Sequence, residues 1–167
     1  MRSRQSTDKA ADYLIVGAGN VLLSDEGIGI HILDVLEKED NLEKTRYVDI
    51  GTSSLDIGLH LDPKIKKIVI IDCIKADVFE PGTVFKMTID DLRKRQQDNF
   101  SLHQFELVDS LKLLDLVEEL PETMILGIVP KNIEVYSLEL SPELKKDLPG
   151  ILAKVRKEII KFLKQNA

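Results

Sequence analysis

Short apolar runs alternate with longer amphipathic segments along this chain, and the two periods assign its elements. Residues 13–16 (YLIV), closing at Gly17, form a continuous apolar run that predicts a buried strand. Ile28, Ile32, Val35 and Leu36 then recur at helical spacing, which predicts a helix over 27–36. A second strand is expected over 47–50, and a short helix over 55–61, stopped ahead of Pro63. The run 68–71 (IVII) is β-branched throughout, the composition of a strand at the centre of a sheet. Residues 83–87 alternate after a Pro81-Gly82 turn and predict another strand, and Thr88 is placed to cap a helix ending near Gln97. A helix beginning near His103 carries Leu107, Leu111 and Leu114 on one face, and 123–128 predicts a further strand. In the final helix Leu148, Ile151, Leu152, Val155, Ile159, Phe162 and Leu163 form an apolar stripe. Behind it Lys154, Arg156, Lys157, Lys161 and Lys164 form a basic face, read as solvated. Strands alternating with helices predict a three-layer α/β/α domain around a mostly parallel sheet.

Length and charge narrow the picture. A chain of 167 residues is of single-domain size. The polar stretch 1–12 has no periodicity and is expected to be a loose tail ahead of a domain over 13–167. With 23 Lys+Arg against 29 Asp+Glu the net charge is −6, which argues against a nucleic-acid partner held by phosphate neutralisation. The single cysteine, Cys73, excludes an internal disulfide and a cysteine-based zinc knuckle. No apolar run approaches the ~20 residues that span a bilayer, and the amino terminus lacks the apolar stretch of a signal peptide. No membrane partner and a cytoplasmic location are therefore expected.

In open α/β sheets ligands gather beyond the carboxyl ends of the strands, where strand order reverses. The residues that follow each strand are thus the informative ones. Gly17-Ala18-Gly19-Asn20 follow the first, and the glycine turn invites comparison with a dinucleotide fingerprint. Leu22 occupies the place of the third glycine, however, and no G-K-[S/T] follows. A non-catalytic module holding a nucleotide or small acidic ligand at the 17–19 turn stays as the alternative reading. Asp25-Glu26 open the next helix, where carboxylates either cap or carry chemistry. Asp72 closes the β-branched run, and His103 stands between two later elements. His31 and His60 lie within amphipathic segments and read as structural. Neither H-E-x-x-H nor G-x-S-x-G occurs, and Cys73 reads as a small buried apolar residue. Glu26, Asp72 and His103 all fall on one predicted edge of the sheet. Two carboxylates and an imidazole are a donor set for a divalent transition metal such as nickel or zinc.

The motifs themselves are G-A-G-N-V-L-L-S-D-E-G-I-G (17–29), D-I-G-T (49–52), I-V-I-I-D (68–72), S-L-H-Q (101–104) and G-I-V-P (127–130), followed by the 135–140 stretch. Together and in this order they resemble the hydrogenase maturation endopeptidases, which trim the large subunit of nickel–iron hydrogenases. The resemblance covers nearly the whole chain from Tyr13. It implies a twisted five-stranded sheet with helices on both faces, and removal of a C-terminal extension from the large-subunit precursor after nickel insertion. The family's metal-contacting residues fall on Glu26, Asp72 and His103, the trio already singled out. These are also the catalytic candidates, in an aspartic-type or a metal-assisted scheme. The resemblance brings nickel in with the precursor, with another divalent metal in the free protein as the variant. Gly17, Gly19, Asn20, Asp25, Asp49, Gly51 and Thr52 would shape the cleft. The turn D-I-G-T departs from the usual D-G-G-T in carrying Ile50. A monomer engaging one precursor is expected, because the pattern leaves no extended apolar stripe uncovered.

Overall fold

The computed structural model describes residues 11–39, 42–76, 78–94, 102–117 and 119–165. Along them run β1 (Tyr13–Gly17), a 3₁₀ turn (Ser24–Gly27), α1 (Ile28–Glu39), β2 (Thr45–Asp49), a 3₁₀ segment (Ser54–His60) and β3 (Lys67–Cys73). Then come β4 (Val84–Met87), α2 (Ile89–Lys94), α3 (Leu102–Val117), β5 (Glu122–Ile128) and α4 (Pro142–Lys164). The strands make one sheet in the order β2-β1-β3-β5-β4. All neighbours are parallel except β4, which pairs antiparallel with β5 at one edge. The mostly parallel, five-stranded, helix-flanked architecture expected from the sequence is therefore present.

β3 is buried at every position, since β1 and β5 flank it and side chains cover both faces. A strand so placed must be apolar on both sides, which is why its sequence runs without alternation. The pleat divides the core in two. Ile15, Val69, Ile71 and Leu126 face α1 and α4, while Leu14, Val16, Ile68, Ile70 and Ile125 pack with Ile57 of the 3₁₀ segment and Leu107 and Leu111 of α3.

The element borders differ from the sequence reading at several places. Ala11 and Asp12, assigned to the tail, are packed: Ala11 is buried, and Asp12 pairs with Lys66 at 2.9 Å. The rest of the expected tail, 1–10, lies outside the described residues. Thr88 does cap α2, its Oγ1 accepting the Asp91 N–H at 3.2 Å while Asp91 Oδ2 accepts the Thr88 N–H at 2.9 Å. That helix is described to Lys94, and the expected continuation to Gln97 lies outside the described residues. α4 starts six residues before Leu148, with Ser141 as its cap and Pro142 in its first turn. Its basic face points outward as expected, apart from Arg156, which is half-buried and pairs with Glu39 of α1. Leu22, Val135, Tyr136 and Leu138 are large apolar side chains left exposed. Among the described residues no helix is long and apolar enough to cross a membrane.

Strand order reverses at the boundary between β1 and β3: β1 is followed by its neighbour on one side, and β2 by the neighbour of β1 on the other. The crevice expected in a doubly wound sheet opens between the carboxyl ends of these two strands.

Candidate functional site

Asp72 is the penultimate residue of β3, opposite Gly127 of β5, and is fully buried. Two-residue alternation puts it on the face of Ile68 and Ile70, which α3 covers. Its Oδ1 accepts the Cys73 N–H at 2.8 Å.

Glu26 comes from the other side of the switch point, in the 3₁₀ turn that joins β1 to α1, and is half-buried. Two glycines let this turn close on the strand ends. A Cβ on Gly19, which has φ +134°, would lie 2.0 Å from the Glu26 carbonyl oxygen. A Cβ on Gly29 would lie 2.3 Å from the Ile71 carbonyl oxygen and 2.4 Å from that of Ala18. The glycine turn thus serves close backbone packing, which is why the dinucleotide spacing is absent from it.

Asp25 does something different from its neighbour. It is fully buried, and its carboxylate accepts three backbone N–H groups: Lys131 at 2.9 Å and Asn132 at 2.8 Å on Oδ2, and Ser141 at 2.7 Å on Oδ1. Backbone bonds from Ser24 N–H to the Ser137 carbonyl (2.9 Å) and from Ser137 N–H to the Leu22 carbonyl (3.0 Å) extend the seam. Asp25 is therefore a tie inside the wall, not a group facing an open cleft. Asn20 likewise closes its own loop, its Oδ1 accepting the Leu22 N–H at 3.0 Å.

The remaining wall comes from the end of β2. Ile50 N–H donates to the Gly17 carbonyl at 3.1 Å, and Gly19 N–H to the Gly51 carbonyl at 2.8 Å, lacing the β2 turn to the β1 turn. Asp49 Oδ1 accepts the Gly51 N–H at 2.8 Å, and Thr52 is exposed beside it. Ile50 is buried in the core and the positive φ falls on Gly51, so the isoleucine in D-I-G-T meets no backbone conflict.

Charge converges on the end of β3. Burial pushes the Cys73 thiol well above its ordinary range, and the negative charges of Asp72, Glu26 and Asp25 push it the same way. The thiol stays protonated and buried, as a small apolar residue would. The 3₁₀ turn that carries Glu26 packs against β3, whose penultimate residue is Asp72.

His103 is the second residue of α3, and its side chain lies outside the described residues, as do Asn99, Phe100 and Ser101. Backbone topology still places it. Only four residues lie between Val117 and Glu122, which pins the carboxyl end of α3 to the amino edge of the sheet. Sixteen helical residues rise about 24 Å, so the amino end of α3 reaches toward the carboxyl edge. His103 stands one turn before Leu107, which is buried on the face that Asp72 shares. Among the described residues no three His, Cys, Asp or Glu side chains form a metal-holding group. Of the three expected donors, Glu26 and Asp72 stand on either side of the switch point, and the third candidate is His103.

His31 lies in the first turn of α1 and is half-buried. His60 ends the 3₁₀ segment, where its carbonyl accepts from the Arg46 guanidinium. Sequence reasoning assigns nothing in 129–141 to the site, yet this segment forms the partner of the Glu26 turn. The signal available was the burial-prone Asp25 itself, a carboxylate with no cation nearby in sequence and hence in need of backbone donors.

A doubly wound α/β domain with carboxylates on either side of its switch point is the layout of an α/β enzyme with a strand-end site. The family model for hydrogenase maturation protease (HycI) matches residues 30–158. A hydrogenase maturation protease homologue from Methanocaldococcus jannaschii is 33% identical over 93% of this chain and 94% of its own. Among solved structures, the hydrogenase-maturating endopeptidase HybD from E. coli superposes with a TM-score of 0.75 at 25% identity, covering 89% of this chain and 92% of that one. The [NiFe] hydrogenase maturation protease HybD from Thermococcus kodakarensis gives 0.73 at 28% identity, over 87% and 97%. The chain belongs to the hydrogenase maturation protease family.

Proposed function

We propose that this protein is the endopeptidase that removes the C-terminal extension of a nickel–iron hydrogenase large-subunit precursor once nickel has been inserted. The observation that supports it most directly is the placement of Glu26 and Asp72 on either side of the β1/β3 switch point, in a fold shared with proteases of that pathway. In this reading nickel belongs to the substrate. Glu26, Asp72 and His103 offer it two hard oxygens and an imidazole nitrogen, donors that suit a divalent transition metal. A loaded precursor is then held with its scissile bond at the carboxyl edge of the sheet, and an unloaded one is not.

Hydrolysis needs a water oxygen to bond to the scissile carbonyl carbon, a proton to leave that water, and another to reach the departing amine as the C–N bond breaks. Asp72 or Glu26 takes the proton as general base, or the substrate's nickel polarises the carbonyl while the carboxylates orient it. Both schemes require the pair intact.

The test is the intact mass of the cognate precursor after incubation with wild type, Asp72→Asn or His103→Ala. Wild type lowers the mass by a C-terminal peptide, and only when the precursor carries nickel. A positioned base contributes about 10²–10⁴-fold, so Asp72→Asn leaves the precursor essentially uncut. His103→Ala loses processing as well, with melting behaviour kept in both variants. Processing retained by both would sink the assignment.

A further inference from the structure

Beside the acid pair, on the same edge of the sheet, lies a groove of about 530 Å³. One wall is the connection from β3 to β4, with Lys75, Phe79 and Pro81; the other follows β5, with Val129, Lys131 and Ile133. Apolar Phe79, Val129 and Ile133 line the groove beside polar Asn132 and Glu134, and Lys75 and Lys131 are exposed at its rim. Among the described residues neither Lys75 nor Lys131 has an ion pair, and Glu134 is the only acid in the described lining.

Both walls are fixed in place. Asp25 holds the Lys131 and Asn132 N–H groups, and Asn132 Oδ1 in turn accepts from Glu134 N–H at 3.0 Å and Val135 N–H at 3.1 Å. Across the groove, Gly82 N–H donates to the Val129 carbonyl at 2.8 Å, and Phe79 stacks on Phe85 of β4 at 5.8 Å between ring centroids. Since Asp25 is bonded directly to Glu26 in the chain, the groove and the acid pair share one frame.

Lys75 stands three residues beyond Asp72. Even a fully extended chain advances only about 3.3 Å per residue, so the two backbones lie within roughly 10 Å of each other, a span of about three residues of an extended substrate. The pair repels acidic side chains and the lysines attract them, in a protein of net charge −6. We propose that this groove is a specificity subsite, in which Lys75 and Lys131 bind an acidic side chain of the precursor about three residues from the cleaved bond. The inference rests on the endopeptidase reading and adds to it what sets the register of the substrate.

A charge swap tests it. The Lys75→Glu/Lys131→Glu double variant changes only exposed side chains, and its fold is checked by melting. With nickel-loaded precursor its KM rises about tenfold or more, with kcat near that of wild type. The cleavage position comes from the product mass, and each Asp or Glu within about four residues of it is changed to Lys in the precursor. One such precursor restores processing by the double variant and is cut poorly by wild type. An unchanged KM, or the absence of any restoring precursor, overturns the subsite while leaving the endopeptidase reading intact. Failure of wild type to cut any nickel-loaded precursor overturns that reading first.

Discussion

Two adjacent carboxylates with the same chemistry have opposite fates here. Asp25 accepts three backbone N–H groups in complete burial, whereas Glu26, one bond further, is half-buried at the crevice. From the sequence the two were a single acidic pair at a helix start, because one-dimensional spacing carries no information on which side chain finds donors 106 to 116 residues away. His60 shows a residue-scale effect with a measurable sign. Burial, joined by the Arg46 charge and opposed by Asp56, holds its imidazole below the ordinary 6.5. The fold favours the neutral ring, so the unfolded chain binds a proton first as pH drops, and stability falls as pH decreases through 6.5. Thermal melts between pH 7 and 5 test this. Wild type loses melting temperature over that window, and His60→Gln loses less of it.

Among the elements, the informative pairing is that of the 3₁₀ turn after β1 with the 131–141 segment before α4. These are far apart in sequence and joined by one buried carboxylate. Removing that carboxylate leaves three donors without their acceptor, Ser141 N–H buried and those of Lys131 and Asn132 part-buried, where a fully buried one is worth about 1–3 kcal/mol. Asp25→Ala is therefore expected to cost about 3–5 kcal/mol, read from chemical denaturation. Faster hydrogen exchange at the amides of Lys131, Asn132 and Ser141 is expected with it; unchanged exchange there means the tie is not made in solution. The ends of α4 were legible to different degrees. Its start is written locally, Ser141 followed by Pro142, a cap and a residue preset for the first turn. Its end depends on Lys67 of β3, whose ammonium group donates to the Phe162 carbonyl at 2.7 Å and pairs with Glu122 at 3.4 Å. No local signal in α4 announces that cap, since the cation arrives from the start of a strand some 95 residues earlier.

At the scale of the whole molecule, the strand order 2-1-3-5-4 grades stability from centre to edge. β3 has hydrogen-bonded strands on both sides and a buried side chain at every position, so its amides open only with the entire fold. β4 is four residues long, antiparallel and paired on one side only. Hydrogen exchange resolved by residue is expected to place β3 slowest, with β1 near it, and β4 orders of magnitude faster. Equal protection in β3 and β4 contradicts this ordering.

Taken alone, the sequence determined which segments are strands and helices, that the sheet is mostly parallel, and that Glu26, Asp72 and His103 follow strand ends or open a helix. Those follow from hydrophobic period, β-branched runs and the rule that ligands meet strand carboxyl ends, all local or topological in origin. Only the tertiary structure decided that Asp25 ties a distant loop, that Gly19 and Gly29 serve backbone contact, and that Lys75 and Lys131 rim one groove. Each of these depends on which groups meet across the switch point. That is set by packing of two core layers against a twisted sheet, and no window of neighbouring residues encodes it.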